Sequence, residues 1–115
     1  MHAAGAQALA IGASATFARD GALLAENALK RRLPTMCQWR EMAEQGCLLS
    51  YGPSRPDPFK RTASFVARIL KGTSPSEIPI EQPTRFKLVV NMKAAKALGL
   101  DIDPAFLARA DEVIE

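Results

Sequence analysis

The sequence is poor in the side chains that most chemistry needs. It has one histidine, His2, beside the start, and two cysteines, Cys37 and Cys47, without Cys-x-x-Cys spacing. With a single imidazole and no thiol pair in register, no metal site follows, and no Ser-His catalytic pair can be drawn. There is no run of about 18 apolar residues, so no membrane-spanning helix is expected. Met1 to Thr16 carries no Lys or Arg, which removes the cationic head of an export signal and leaves the chain, as written, in the cytoplasm. Reduced core cysteines are the expectation there, rather than a disulfide. Charge of one sign is scarce too. The 15 Lys and Arg stand against 12 Asp and Glu, a formal net charge of +3. They are dispersed apart from Lys30-Arg31-Arg32, which reads as a solvated helix end, so no nucleic-acid partner is expected.

What is present is enough apolar material for one packed unit: 48% of 115 residues. Short apolar runs alternate with helical patterns. Ala6 to Ile11 reads as a first strand, and a helix follows with Leu24, Ala28 and Leu29 on one face and Asp20 as its cap. Thr35 to Cys37 reads as a second strand. Arg40 to Gln45 makes one or two helical turns closed by Gly46, and Cys47 to Tyr51 is a third strand. This order predicts right-handed crossovers and an α/β fold with a parallel sheet flanked by helices in three layers. The best-defined helix starts near Asp57, has Pro58 in its first turn and stops at Gly72. Phe59, Ala63, Val66 and Leu70 form its apolar face, while Lys60, Arg61, Ser64, Arg68 and Lys71 point to water. Thr73 to Pro83 is an extended connector with a turn near Ser76. Thr84 to Asn91 is a strand, Asn91 caps a helix to Leu98 that Gly99 stops, and a last helix opens at Asp103-Pro104 with Phe106, Leu107, Ala110 and Val113 inward.

Three residues stand out as ligand contacts. Ser14 lies in a strand-to-helix loop, where open α/β sheets bind ligands. It does not make a nucleophile elbow, because Thr16 stands where glycine is required. Ser50 and Tyr51 end the third strand beside Gly52-Pro53, and Tyr51 is the only tyrosine. Trp39 reads more readily as packing than as a stacking surface. No catalytic apparatus and no cofactor site emerge.

Several phrases then carry a resemblance: Trp39-Arg40-Glu41, Gly46 to Pro53 (GCLLSYGP), Arg61 to Gly72, Ile80 to Asn91 (IEQPTRFKLVVN), Lys96 to Leu100 and the closing Leu107 to Ile114. In this order and at these intervals they resemble the C-terminal portion of ABC transporter substrate-binding proteins of the tryptophan-binding-like group. The resemblance implies a partial type I periplasmic-binding-protein fold, a non-enzymatic role, a small-molecule ligand such as an amino acid, an ABC permease as partner and a periplasmic location. It assigns residues 1–51 to the second lobe, and 52–115 to the hinge crossing, a first-lobe helix and the C-terminal strand and helices. Ser50 and Tyr51 then fall where hinge residues meet ligand. Ser14-Ala15 stands where relatives often carry Asp-Pro. The physical expectation is that Phe59, Ala63, Val66 and Leu70 are left open and promote self-association. Two other readings remain: a small α/β interaction module that self-associates through that face, and an α/β enzyme fragment or regulator.

Overall fold

The computed structural model describes residues 5–53 and 56–115. His2, and the cap expected from the side chain of Asp57, lie outside what is described. The elements run β1 (Leu9–Ala10), α1 (Ala15–Arg19), α2 (Gly21–Lys30), β2 (Thr35–Cys37), α3 (Arg40–Glu44), β3 (Leu49–Pro53), α4 (Pro56–Leu70), β4 (Phe86–Asn91), α5 (Met92–Leu98), α6 (Pro104–Leu107) and β5 (Glu112–Ile114). The strands form one five-stranded sheet in the order β1-β2-β3-β4-β5.

The parallel sheet expected from the alternation is found in the pairs β1/β2, β2/β3 and β4/β5, and helices flank it. One junction differs: β4 runs antiparallel to β3, with Ser50 opposite Val89 and Tyr51 opposite Leu88. The cause is the excursion between them. The chain leaves the sheet through α4, turns at Pro75–Glu77 and comes back along residues 78–85, so β4 enters from the end at which β3 left.

Two apolar clusters support the sheet. One joins Ile11, Ala25, Cys37, Met42 and Cys47, with Leu9, Leu24 and Trp39 packed against it. The other joins Leu48, Ala94 and Ala95 with Leu49, Met92 and Ile102. Two polar side chains inside this core are satisfied. Thr35 Oγ1 accepts from Leu48 N at 3.1 Å, tying β2 to the entry of β3. Asn91 caps α5 as expected, accepting from Ala94 N at 3.0 Å, and donates through Nδ2 to the Ala43 carbonyl at 2.7 Å. A buried amide with both ends used fixes the angle between α3 and α5.

Helix ends repeat one motif. After α3, α4 and α5 the residues Gly46, Gly72 and Gly99 take φ of 121°, 99° and 70°, and the next residue's N–H reaches back five positions, as in Thr73 N to Arg68 O at 3.1 Å. The end of α2 makes the same bonds with Arg32, at φ 51°, in the glycine position.

Several expectations are corrected. Asp20 does not cap α2; its carboxylate turns to Arg19 instead. The first strand is only Leu9–Ala10, since residues 6–8 have no neighbouring strand to pair with in the sheet. The last helix is one turn, and Val113, expected inward on it, belongs to a strand and is 38% exposed. There the parallel pairing with β4 outweighs helical spacing, because Asp111 offers Leu88 both its N–H and its carboxylate, at 2.9 and 2.7 Å. The cysteines are not reduced: Cys37 and Cys47 form a disulfide, their Cα atoms 6.4 Å apart. Both side chains enter one core cluster from the end of β2 and the approach to β3, a proximity invisible in linear spacing.

The helix α4 stands apart. Arg61, expected in water, is half-buried against the connector, and Phe65 and Arg68 share that side. Phe59, Ala63, Val66 and Leu70 are all exposed, with Phe59 at 68% and Leu70 at 81%. The radius of gyration reflects this. It is 17.7 Å, against about 13 Å for a compact domain of this length.

Candidate functional site

Because β1, β2 and β3 are parallel, the loops that follow them open at one edge of the sheet, the place where open α/β sheets take ligands. Ser14 sits in the loop after β1, immediately before α1, in extended backbone (φ −156°, ψ 137°). Its hydroxyl makes no capping bond to α1. Trp39 follows β2. The two residues line one open depression together with Ala13, Ala15, Ala18 and Arg19.

Each of these groups has a physical setting. Trp39 is half-buried: part of its ring packs on the cluster around Met42 and part borders the depression, so packing and lining are both true of it. Arg19 donates through Nε and Nη2 to the Asp20 carboxylate at 2.8 and 2.9 Å. That hydrogen bonding holds the Asp20 carboxyl below the usual range and compensates the guanidinium. The lining therefore combines a hydroxyl, an indole edge and methyl groups with a charge already matched. Such a surface suits an uncharged or zwitterionic small molecule of partly aromatic character.

The structure does not gather all the sequence candidates into this depression. Ser50 and Tyr51 are neighbours in β3, and successive side chains on a strand point to opposite faces. Ser50 is 1% exposed, beside Cys37 in register. Tyr51 is 51% exposed and stacks on Phe86, with ring centroids 5.7 Å apart and 25° between planes. The tyrosine thus belongs to an aromatic pair at the β3/β4 junction, where β3 leaves the sheet.

One residue that sequence reasoning valued only for its turn proves structural for the site. A Cβ placed on Gly52 would lie 2.1 Å from the Gln38 carbonyl oxygen and 2.9 Å from Gln38 Cγ. The loop carrying Trp39 therefore rests directly on the β3 backbone, and only glycine permits it. The Gly-Pro pair was the available signal; the partner across the strands was not. Among the described residues no group of three or more His, Cys, Asp or Glu is placed to hold a metal ion, and no helix is long and apolar enough to cross a membrane.

An α/β sheet with open loops at the carboxyl edge, a depression bordered by one indole and a helix with an exposed apolar face has the form of part of a substrate-binding module. The chain belongs to the ABC transporter substrate binding protein family, whose model matches residues 3–114. Among solved structures it is similar to an ABC domain in complex with L-Trp from Streptococcus pneumonia, at 26% identity and a TM-score of 0.87 over 94% of this chain and 37% of that one. It is also similar to a conserved domain protein from Vibrio cholerae, at 29% identity and a TM-score of 0.84 over 92% of this chain and 35% of that one. A ligand-free, open substrate-binding protein with adhesive properties from Clostridium difficile, 18% identical with a TM-score of 0.62 over 93% of this chain and 36% of that one, shares the fold. No curated protein matches. The chain thus spans a little over a third of the length of these solved proteins.

Proposed function

We propose that this chain supplies part of the substrate-binding component of an ABC import system, and that its ligand is a small molecule, an amino acid and an aromatic one first, passed on to a membrane permease. The observation that carries the reading is the convergence of Ser14 and Trp39 on one charge-compensated depression at the carboxyl edge of β1–β3. The family supports substrate binding, and the L-Trp in the pneumococcal relative supports the ligand class. On this reading residues 1–51 contribute to the second lobe, and 52–115 comprise the hinge crossing, a first-lobe helix and the C-terminal strand and helices. Ser50 to Pro53 is the hinge, where Tyr51 meets ligand while Ser50 holds the strand from within. The periplasm is the proposed compartment, and the Cys37–Cys47 disulfide supports it, since such bonds persist under oxidising conditions. The role is binding without turnover.

The test is a titration of the 15N-labelled chain with L-Trp. Amide shifts confined to residues 12–16, 38–40 and 50–52, reduced in Ser14→Ala, are the expected result. Absence of shifts up to the solubility of L-Trp would sink the proposal.

A second reading has its own observation. The open apolar face of α4 supports self-association of a small α/β interaction module, with Phe59, Ala63, Val66 and Leu70 at the contact.

A further inference from the structure

A cavity of about 390 Å³ lies between α4 and the connector, and none of its lining residues borders the Ser14/Trp39 depression. Phe65, Pro53 and Pro83 supply apolar wall, and Lys60, Arg61 and Arg85 bring three cations to it. Arg61 is committed to construction. Its Nη1 donates to the Gln82 carbonyl at 2.9 Å and Nη2 to Thr84 Oγ1 at 3.4 Å, which clips α4 to the connector. Its charge is answered by Glu81, at 3.5 Å.

Lys60 and Arg85 are different. Among the described residues neither has an acidic partner at ion-pair distance. Two cations with no acidic partner among the described residues, on one concave and partly apolar surface, focus a positive potential that an anion relieves. The volume falls in the range of small-molecule sites. The apolar wall asks for a hydrocarbon body, and a guanidinium offers a fork to a carboxylate. A zwitterion fits poorly, because the lining carboxylate, Glu81, already serves Arg61.

We infer that the α4–connector cavity is a second binding site, specific for a small organic carboxylate with an apolar body, held by Arg85 and Lys60 and independent of the depression at the strand ends.

Calorimetric titration of the full chain with 3-phenylpropionate tests this, with 3-phenylpropionamide as the uncharged control. The expected result is saturable binding that weakens as salt is raised, at least about tenfold weaker in Lys60→Ala and in Arg85→Ala, the loss of one charge-assisted bond each. Ser14→Ala should leave it unchanged, which separates this site from the proposed amino-acid depression. Circular dichroism of each variant must match the parent. Should a variant unfold, amide shifts of the parent at residues 60–65 and 81–85 decide instead. Equal binding of the amide, binding retained in both cation variants, or loss in Ser14→Ala would overturn the inference, as would no saturable binding at all.

Discussion

Arg40 and Glu112, 72 positions apart, meet in a forked ion pair: Nε donates to Oε2 at 2.7 Å and Nη2 to Oε1 at 2.5 Å. Arg40 also bridges to Glu44 at 2.6 Å along its own helix. The pair fastens α3, which carries the approach to the depression, to β5 at the far edge of the sheet.

That bond makes a pH prediction. Hydrogen bonding to Arg40 holds the Glu112 carboxyl below its ordinary value in the folded chain. The folded carboxyl therefore binds its proton later than the unfolded one, so its contribution is complete above the ordinary glutamate value and is lost as pH falls through the folded value. Glu112→Gln should lower the urea midpoint at neutral pH by a small amount, because the pair is partly exposed, and the difference from the parent should vanish in acid. Equal differences at both pH values would show that the carboxylate charge is not what matters.

The disulfide closes a short loop, Cys37 to Cys47. Loop-closure entropy for that length corresponds to about 2.5–3 kcal/mol. Thermal melts with and without reductant should differ by that order, and the paired Cys37→Ser, Cys47→Ser variant should melt with the reduced chain.

Arg32 occupies the left-handed position that glycine takes at the other helix ends, at φ 51°. A side chain there costs about 1–2 kcal/mol, and glycine's extra freedom in the unfolded chain returns about half. Arg32→Gly should raise stability by roughly 0.5–1 kcal/mol in urea titrations.

Gly52 tests the seat of the Trp39 loop. Gly52→Ala forces the Gln38 carbonyl away and should cost about 1–3 kcal/mol. Because Trp39 is the only tryptophan, its emission should shift to the red as the loop lifts.

The α4 face predicts association. Large apolar side chains gain about 1.5–3 kcal/mol each on full burial, and Phe59, Val66 and Leu70 are at least half exposed. Light scattering should show a concentration-dependent dimer or larger species that Phe59→Ser with Leu70→Ser returns to monomer. A parent chain that is monomeric at all concentrations removes the second reading.

Local signals located most elements. Thr35–Cys37, Asn91 with its helix to Leu98, Asp103-Pro104 and the glycine stops were all legible, because caps and left-handed turns act within a few residues. β5 was not. Glu112–Ile114 is a strand only because β4 lies beside it. The site divided in the same way. Ser14 could be named from the chain while Trp39 read as packing, and their meeting in one depression follows from the parallel order of β1 and β2. Ser50 and Tyr51 looked like one corner and lie on opposite faces of a strand.

The sequence by itself determined the alternation of strand and helix, the glycine-stopped helix ends, the family and an apolar face on α4, all of which depend on residue type and short spacing. Tertiary structure alone decided the antiparallel turn at β3/β4, the Cys37–Cys47 bond, the grip of Arg40 on Glu112 and the contact of Gln38 with Gly52. These join residues that chain order separates, and only the packed sheet sets their distances.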